Sequence, residues 1–177
     1  MEYTLRNNQV VKIRETEVKD AALILDFFVE VNKESKFLTR EPHEVDMTLD
    51  EEMGFLDKIS KSEHDCMLVA FNENSVIGTI GFHGSGLSRT KHRVSVGISV
   101  LSEYTNLGLG SIMMDMIAKK AKDYGKEKIE LEVRIDNYNA IRLYEKFGFR
   151  NEGILRRGFL VDGEYIDLLL MGKILEE

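Results

Sequence analysis

The segment Val100-Leu101-Ser102-Glu103-Tyr104-Thr105-Asn106-Leu107-Gly108-Leu109-Gly110-Ser111 carries an apolar strand through a glycine-containing turn directly into an amphipathic helix. A junction of this kind suits phosphate. Its two glycines let the backbone approach a ligand with no Cβ in the way. The first free N–H groups of the helix point into the gap with a partial positive charge behind them. A diphosphate is the natural occupant, although glycine in such a place can also do no more than ease a tight turn. The segment matches neither of two well-known nucleotide loops. Three residues after Gly110 stands Met113, not the third glycine of a dinucleotide fingerprint, and no Gly-Lys-Ser/Thr follows as a P-loop requires.

A second constellation follows about one helix later. Leu131-Glu132-Val133-Arg134-Ile135-Asp136-Asn137 reads as a strand ending in a polar turn, and Ala140-Ile141-Arg142-Leu143-Tyr144-Glu145-Lys146-Phe147-Gly148-Phe149 as the helix it opens. The spacing of Asn137, Ala140, Tyr144 and Gly148-Phe149, set after the Gly-x-Gly, resembles the GCN5-related N-acetyltransferase (GNAT) superfamily. Thr105 to Ser111 resembles that family's pyrophosphate motif, in which Arg or Gln usually occupies the position of Thr105. The phosphate contacts of the motif are mostly main-chain, so the departure leaves them in place. The resemblance runs from Ile13-Arg14-Glu15 to the terminal strand.

The resemblance implies an acetyl-CoA-dependent N-acetyltransferase acting on a primary amine, either a small polyamine-like molecule or a protein N-terminus. Residues 105–111, Thr105, Asn106, Leu107, Gly108, Leu109, Gly110 and Ser111, would hold the diphosphate. The pantetheine arm would run along the main chain of Ile98, Ser99 and Val100 much as an added strand would. Attack of a neutral amine on a thioester has three needs. The amine, with a pKa of ~10.4 for a lysine type or ~8 for an α-amine, must lose a proton. The developing oxyanion needs a donor, for which a strand-edge N–H near Val100 serves, and the leaving thiolate gains from a nearby acid.

Tyr144 is the candidate acid, since a phenol near pKa ~10 stays protonated at neutral pH. On the same helical face as Ala140 and Phe147, it can also simply pack. Asn137, at the helix entrance, can bond the pantetheine arm, cap the helix, or do both. Glu132 stands where ribosomal-protein N-acetyltransferases of the superfamily carry a general-base glutamate. It can act directly, act through water, or only pair with Arg134. A glutamate common in the preceding strand of relatives is here Ser95, too weak a base to replace it. His83 and Glu41 are the remaining candidates.

The elements that must position these residues follow from periodicity. Val10 to Arg14 reads as a strand, and Asp20 to Asn32 as a helix with Ala21, Leu23, Ile24, Phe27, Phe28 and Val31 on a wide apolar face. Thr48-Leu49-Asp50-Glu51 has the spacing of a capping box and starts a second helix. The irregular stretch Glu34 to Pro42 between them is, by resemblance, a loop on the substrate side. Cys66 to Phe71 and Val76 to Phe82 form a hairpin, and Arg93 to Val100 a longer strand. The helix from about Leu109 to Tyr124 carries a stripe of Met113, Met116, Ile117, Ala121 and Tyr124, which suits a core. Asp162-Gly163 turns a last hairpin. This order, strand, two helices, three strands, helix, strand, helix, two strands, describes an α/β fold with a mixed sheet. The resemblance implies the same, with a mostly antiparallel sheet of about seven strands and helices on both faces.

Composition narrows the field further. The 177 residues, 43% hydrophobic with one proline and no repeat or linker, suit a single domain over residues 1–177. A net charge of −7 with dispersed lysines points away from nucleic acid. No apolar run approaches the ~20 residues of a membrane span, and no charged lead with an apolar stretch opens the chain, so a cytoplasmic place is expected. Cys66, the only cysteine, lies in an apolar run and reads as core. His43, His64, His83 and His92 have no metal-site spacing, so no metal is expected. The C-terminal hairpin, from Gly153 through Arg156-Arg157 to Met171, resembles that of the branch holding ribosomal-protein and polyamine acetyltransferases. It implies a substrate wall and sometimes a dimer contact, and a homodimer is the default expectation. A non-catalytic acyl-CoA-binding protein with the same fold is the alternative function.

Overall fold

A computed structural model describes residues 1–175. Strands β1 (Glu2–Thr4) and β2 (Val10–Glu15) lead into helices α1 (Ala21–Glu34) and α2 (Leu49–Ser60). Strands β3 (Cys66–Asn72), β4 (Ser75–Gly84) and β5 (Arg93–Val100) follow, then α3 (Leu109–Asp123), β6 (Lys128–Arg134) and α4 (Tyr138–Lys146). The hairpin of β7 (Arg150–Val161) and β8 (Glu164–Ile174) ends the described chain. Local chemistry sets these boundaries. Thr48 and Glu51 form the expected capping box, Thr48 Oγ1 accepting from the Glu51 N–H at 3.3 Å and the Glu51 carboxylate from the Thr48 N–H at 2.8 Å. Asp162 and Gly163 both take positive φ, the backbone a two-residue hairpin requires.

One sheet of eight strands runs β1-β2-β3-β4-β5-β6-β8-β7, with every pair antiparallel except β5 and β6. The eighth strand is β1, three residues long and too short to show a pattern in the sequence; the order of all other elements is the expected one. β5 and β6 pair over only three positions, Arg93–Lys128, Val94–Ile129 and Ser95–Glu130, and then part. The main-chain groups on the β6 side of β5 beyond Ser95 are left without a strand partner.

Helices cover both faces. Ala21, Ile24, Phe27 and Val31 of α1, with Leu56 of α2, bury Met67, Val69 and Phe71 of β3. On the other face Leu109, Met113, Met114, Ile117 and Ala121 of α3 pack with Leu68, Ile80, Val96, Leu131 and Tyr144. The methionine stripe is therefore core. Leu23, grouped with the buried face of α1 by periodicity, is exposed instead. Cys66 is buried, and its burial pushes the thiol up to about 12, which leaves it inert at neutral pH.

Candidate active site

A cleft of about 1210 Å³ opens where β5 and β6 separate. One end is the turn after β5. Tyr104 anchors it, its buried ring in the core and its hydroxyl accepting from Asn72 Nδ2 at 2.8 Å. Asn106 and Gly108 both take left-handed backbone, with φ of 60° and 96°. As a result the N–H groups of Asn106, Leu107 and Gly108 donate to no acceptor among the described residues. Those of Leu109, Gly110 and Ser111 open α3 and have no carbonyl four residues back inside the helix. A continuous row of free donors at a helix N-terminus is an anion cradle. The two glycines have different reasons. Gly108 supplies the positive φ that starts the helix, whereas a Cβ at Gly110 would come within 3.3 Å of Leu143 Cδ2 and hold α3 away from α4.

Of the residues the sequence singled out, Ile98, Ser99, Val100, Thr105, Asn106, Gly108, Gly110, Ser111, Glu132, Asn137 and Tyr144 all line this cleft. Leu107 and Leu109 turn their side chains into the core and offer only main chain. The Thr105 hydroxyl donates back to the Ser102 carbonyl at 2.7 Å, a local turn contact. Asn137 Oδ1 caps α4 by accepting from the Ala140 N–H at 3.3 Å. Its amide nitrogen makes no hydrogen bond among the described residues.

Glu132 and Tyr144 reach the cleft from opposite faces of the sheet. Glu130, Glu132 and Arg134 point to the face of α1 and α2. Tyr144, on α4, belongs to the core of the opposite face and is 8% exposed. Burial pushes its phenol up to about 12, so it stays protonated across the neutral range. Two residues beyond the last β5–β6 pair, Glu132 stands level with Gly97 across the opening. Its carboxylate has no hydrogen bond or ion pair among the described residues. His83, opposite Ser95 on β4, is held through Nδ1 by Asp65.

The pairing of Glu132 with Arg134 does not form. Arg134, 4% exposed, makes a two-pronged contact with Asp136 at 3.0 and 2.8 Å, donates to the Lys36 carbonyl at 2.6 Å and stacks on Phe37. The guanidinium holds the Asp136 carboxyl below the usual carboxylate range. It thereby fixes the loop after α1 against the end of β6. A second tie closes the same corner: the Glu34 carboxylate accepts from the Ser102 N–H at 2.7 Å and its hydroxyl at 2.6 Å. Glu34 is thus committed to the backbone and is not free to line an amine pocket. A groove of about 850 Å³ runs from this loop to the β7–β8 hairpin, lined by Phe37, Thr39, Glu41, Phe159, Leu160 and Asp162 among others.

Nothing in the sequence marks Arg134 as a buried anchor, because a charged residue at an outward strand position reads as solvated. Arg6 was missed too. It lies in the β1–β2 turn, lines the cleft and donates from Nη1 to the Asn106 carbonyl at 3.2 Å. No group of three or more metal-ligating side chains occurs among the described residues. No helix there is long and apolar enough to cross a membrane.

Comparison with known proteins places the chain among acetyltransferases. The chain is 41% identical over 116 residues to an N-alpha-acetyltransferase of Saccharolobus solfataricus, covering 59% of this chain and 66% of that protein. It is 32% identical over 108 residues to the L-amino acid N-acetyltransferase AaaT of Escherichia coli, covering 60% and 67%. Matched segments therefore span about two thirds of these curated relatives. The structure superposes on an acetyltransferase of the GNAT family from Streptococcus pneumoniae with a TM-score of 0.90 at 32% identity, over 93% of this chain and 99% of that one. It also matches the fold of yncA from Salmonella typhimurium, solved with its cofactor acetyl-CoA, at a TM-score of 0.82 and 18% identity over 94% and 95%. Residues 26–149, from α1 through both motifs to Phe149, match the Acetyltransferase (GNAT) family, and the chain belongs to it.

Proposed function

We propose that the chain is a single N-acetyltransferase domain that transfers the acetyl group of acetyl-CoA to a primary amine by direct attack. The observation that carries this reading is the meeting, in one cleft, of the free N–H row at residues 106–111, the unpaired edge of β5, and Glu132 and Tyr144 on opposite sides. The donor set fits the cofactor. Six unpartnered amides suit a diphosphate, and the open edge from Val96 to Val100 suits the amide-bearing pantetheine arm. Acetyl-CoA supplies the activated thioester.

The residues then divide the work. Glu132 receives the amine proton from the α1–α2 side. A β5 edge N–H donates to the charge developing on the acyl oxygen. From the other face Tyr144 gives its proton to the departing sulfur, a role its raised pKa keeps available across neutral pH. The two proton movements are thus separated by the sheet itself.

For the acceptor we favour the α-amine of an extended chain, such as a protein N-terminus. The groove between the loop after α1 and the β7–β8 hairpin offers about 850 Å³ beside the cleft, and Glu34 is withheld from binding a polyamine. An α-amine near pKa ~8 is also about one tenth neutral at pH 7, and so makes the smaller demand on the base. The relatives with N-alpha and amino-acid specificity support the same choice. We also place the protein in the cytoplasm and expect a homodimer.

The test is CoA release from acetyl-CoA across peptides with free N-termini, amino acids, polyamines and aminoglycosides. Turnover confined to peptides is the expected result. The Tyr144→Phe variant should lose roughly 100-fold in turnover while CoA affinity persists. Unchanged turnover would remove Tyr144 from the chemistry. CoA binding without turnover on any amine would favour a non-catalytic binder.

A further inference from the structure

We propose that Arg6, reaching across from the β1–β2 turn, is a diphosphate-binding residue of the donor site and supplies the guanidinium that residues 105–111 lack. The inference rests on the acetyl-CoA reading above. Three observations carry it. The turn is pinned in place: Leu5 is buried in the core, and the Arg6 N–H donates to the Leu107 carbonyl at 3.1 Å. The guanidinium is docked on the cradle itself, Nη1 on the Asn106 carbonyl and Nε 4.0 Å from where a Cβ of Gly108 would lie. Arg6 also makes no ion pair among the described residues, so its remaining N–H groups are free.

Charge explains why the site calls for such a residue. The cradle is made of main-chain N–H groups, which carry only partial charge, in a chain of net charge −7. Thr105 contributes no cation, and its hydroxyl is turned back onto Ser102. Of the other cations lining the cleft, Arg134 is committed to Asp136, Lys58 projects from α2, and Arg142 and Lys146 project from α4. Arg6 alone among these five is bonded to the loop whose amides would face the diphosphate. A guanidinium fixed there by its own backbone loses little freedom when an anion arrives, and its fork geometry suits paired phosphate oxygens.

The experiment is calorimetric binding of CoA, 3′-dephospho-CoA and pantetheine to the wild type, Arg6→Gln and Arg6→Lys, with melting curves to verify folding. Glutamine keeps a donor for the Asn106 carbonyl but removes the charge. Arg6→Gln should weaken CoA and dephospho-CoA alike, about tenfold or more, and leave pantetheine unchanged; Arg6→Lys should recover part of the loss. An equal loss for pantetheine would make Arg6 a structural prop and overturn the proposal. So would a loss limited to CoA, which would assign Arg6 to the 3′-phosphate, or no loss at all. Failure of the wild type to bind CoA would instead sink the donor reading itself.

Discussion

The two ends of the cleft are built in opposite ways. At the end proposed to hold the acetyl donor the groups on offer are main chain: free amides of residues 106–111 and the unpaired edge of β5, with side chains mostly turned away. At the acceptor end the backbone is held by side chains, Arg134 through Asp136, Lys36 and Phe37, and Glu34 through Ser102. The first arrangement depends on backbone conformation. The second depends on contacts between residues far apart in the chain, and so ties ligand binding to folding stability.

Substitutions can separate the two ends. Arg134→Ala should have the largest effect, about 2 kcal/mol of stability, because it removes a buried side chain stacked on Phe37 and leaves the Lys36 carbonyl without its donor. The acceptor KM should rise while CoA affinity stays within twofold. Equal losses in both would mean that the two ends are one unit. Gly108→Ala should do the reverse. An alanine at φ of 96° costs about 1–2 kcal/mol and distorts the cradle, so CoA should bind about tenfold more weakly with the acceptor KM unchanged. Calorimetry of CoA alongside acceptor saturation curves reads both variants.

The smallest effect sharpens the comparison through pH. Glu52 on α2 is 1% exposed, and its Oε1 has no hydrogen-bond partner. Burial raises its pKa, against an opposing pull from Arg40. A folded-state pKa above the unfolded value of ~4.3 makes the folded form hold its proton longer, so this group favours folding below that pH and opposes it increasingly above. Glu52→Gln should therefore gain about 1 kcal/mol at pH 7 and nothing near pH 3.5, read by denaturant titration. The same gain at both pH values would show that ionisation of Glu52 is not its source.

What could be read in the sequence divides along the same line. The donor end was legible because backbone demands restrict residue type: a positive φ at Gly108, close helix packing at Gly110, a cap at Asn137. Tyr144 stood out by its place in the motif; it packs against Phe149 and also lines the cleft. The acceptor end was not. Arg134 meets Lys36 across 98 positions and Glu34 meets Ser102 across 68, and no local pattern marks either pair. Arg134 lies on the face of β6 opposite Ile129, Leu131 and Val133, yet that face is covered there by the loop after α1. Leu23 failed in the opposite sense, an apolar residue on a helical stripe wider than the surface available to bury it.

The three-pair junction of β5 and β6 gives the sheet the form of a pair of tongs. Five strands make one arm, three make the other, and Arg93–Glu130 bridges them at the pivot. Since no strand pairing joins the arms beyond Ser95–Glu130, the gap between Gly97 and Glu132 opens from a short base. Residues outside the cleft lining, such as Arg93 and Lys128, thus stand among those that decide how wide the jaws are held.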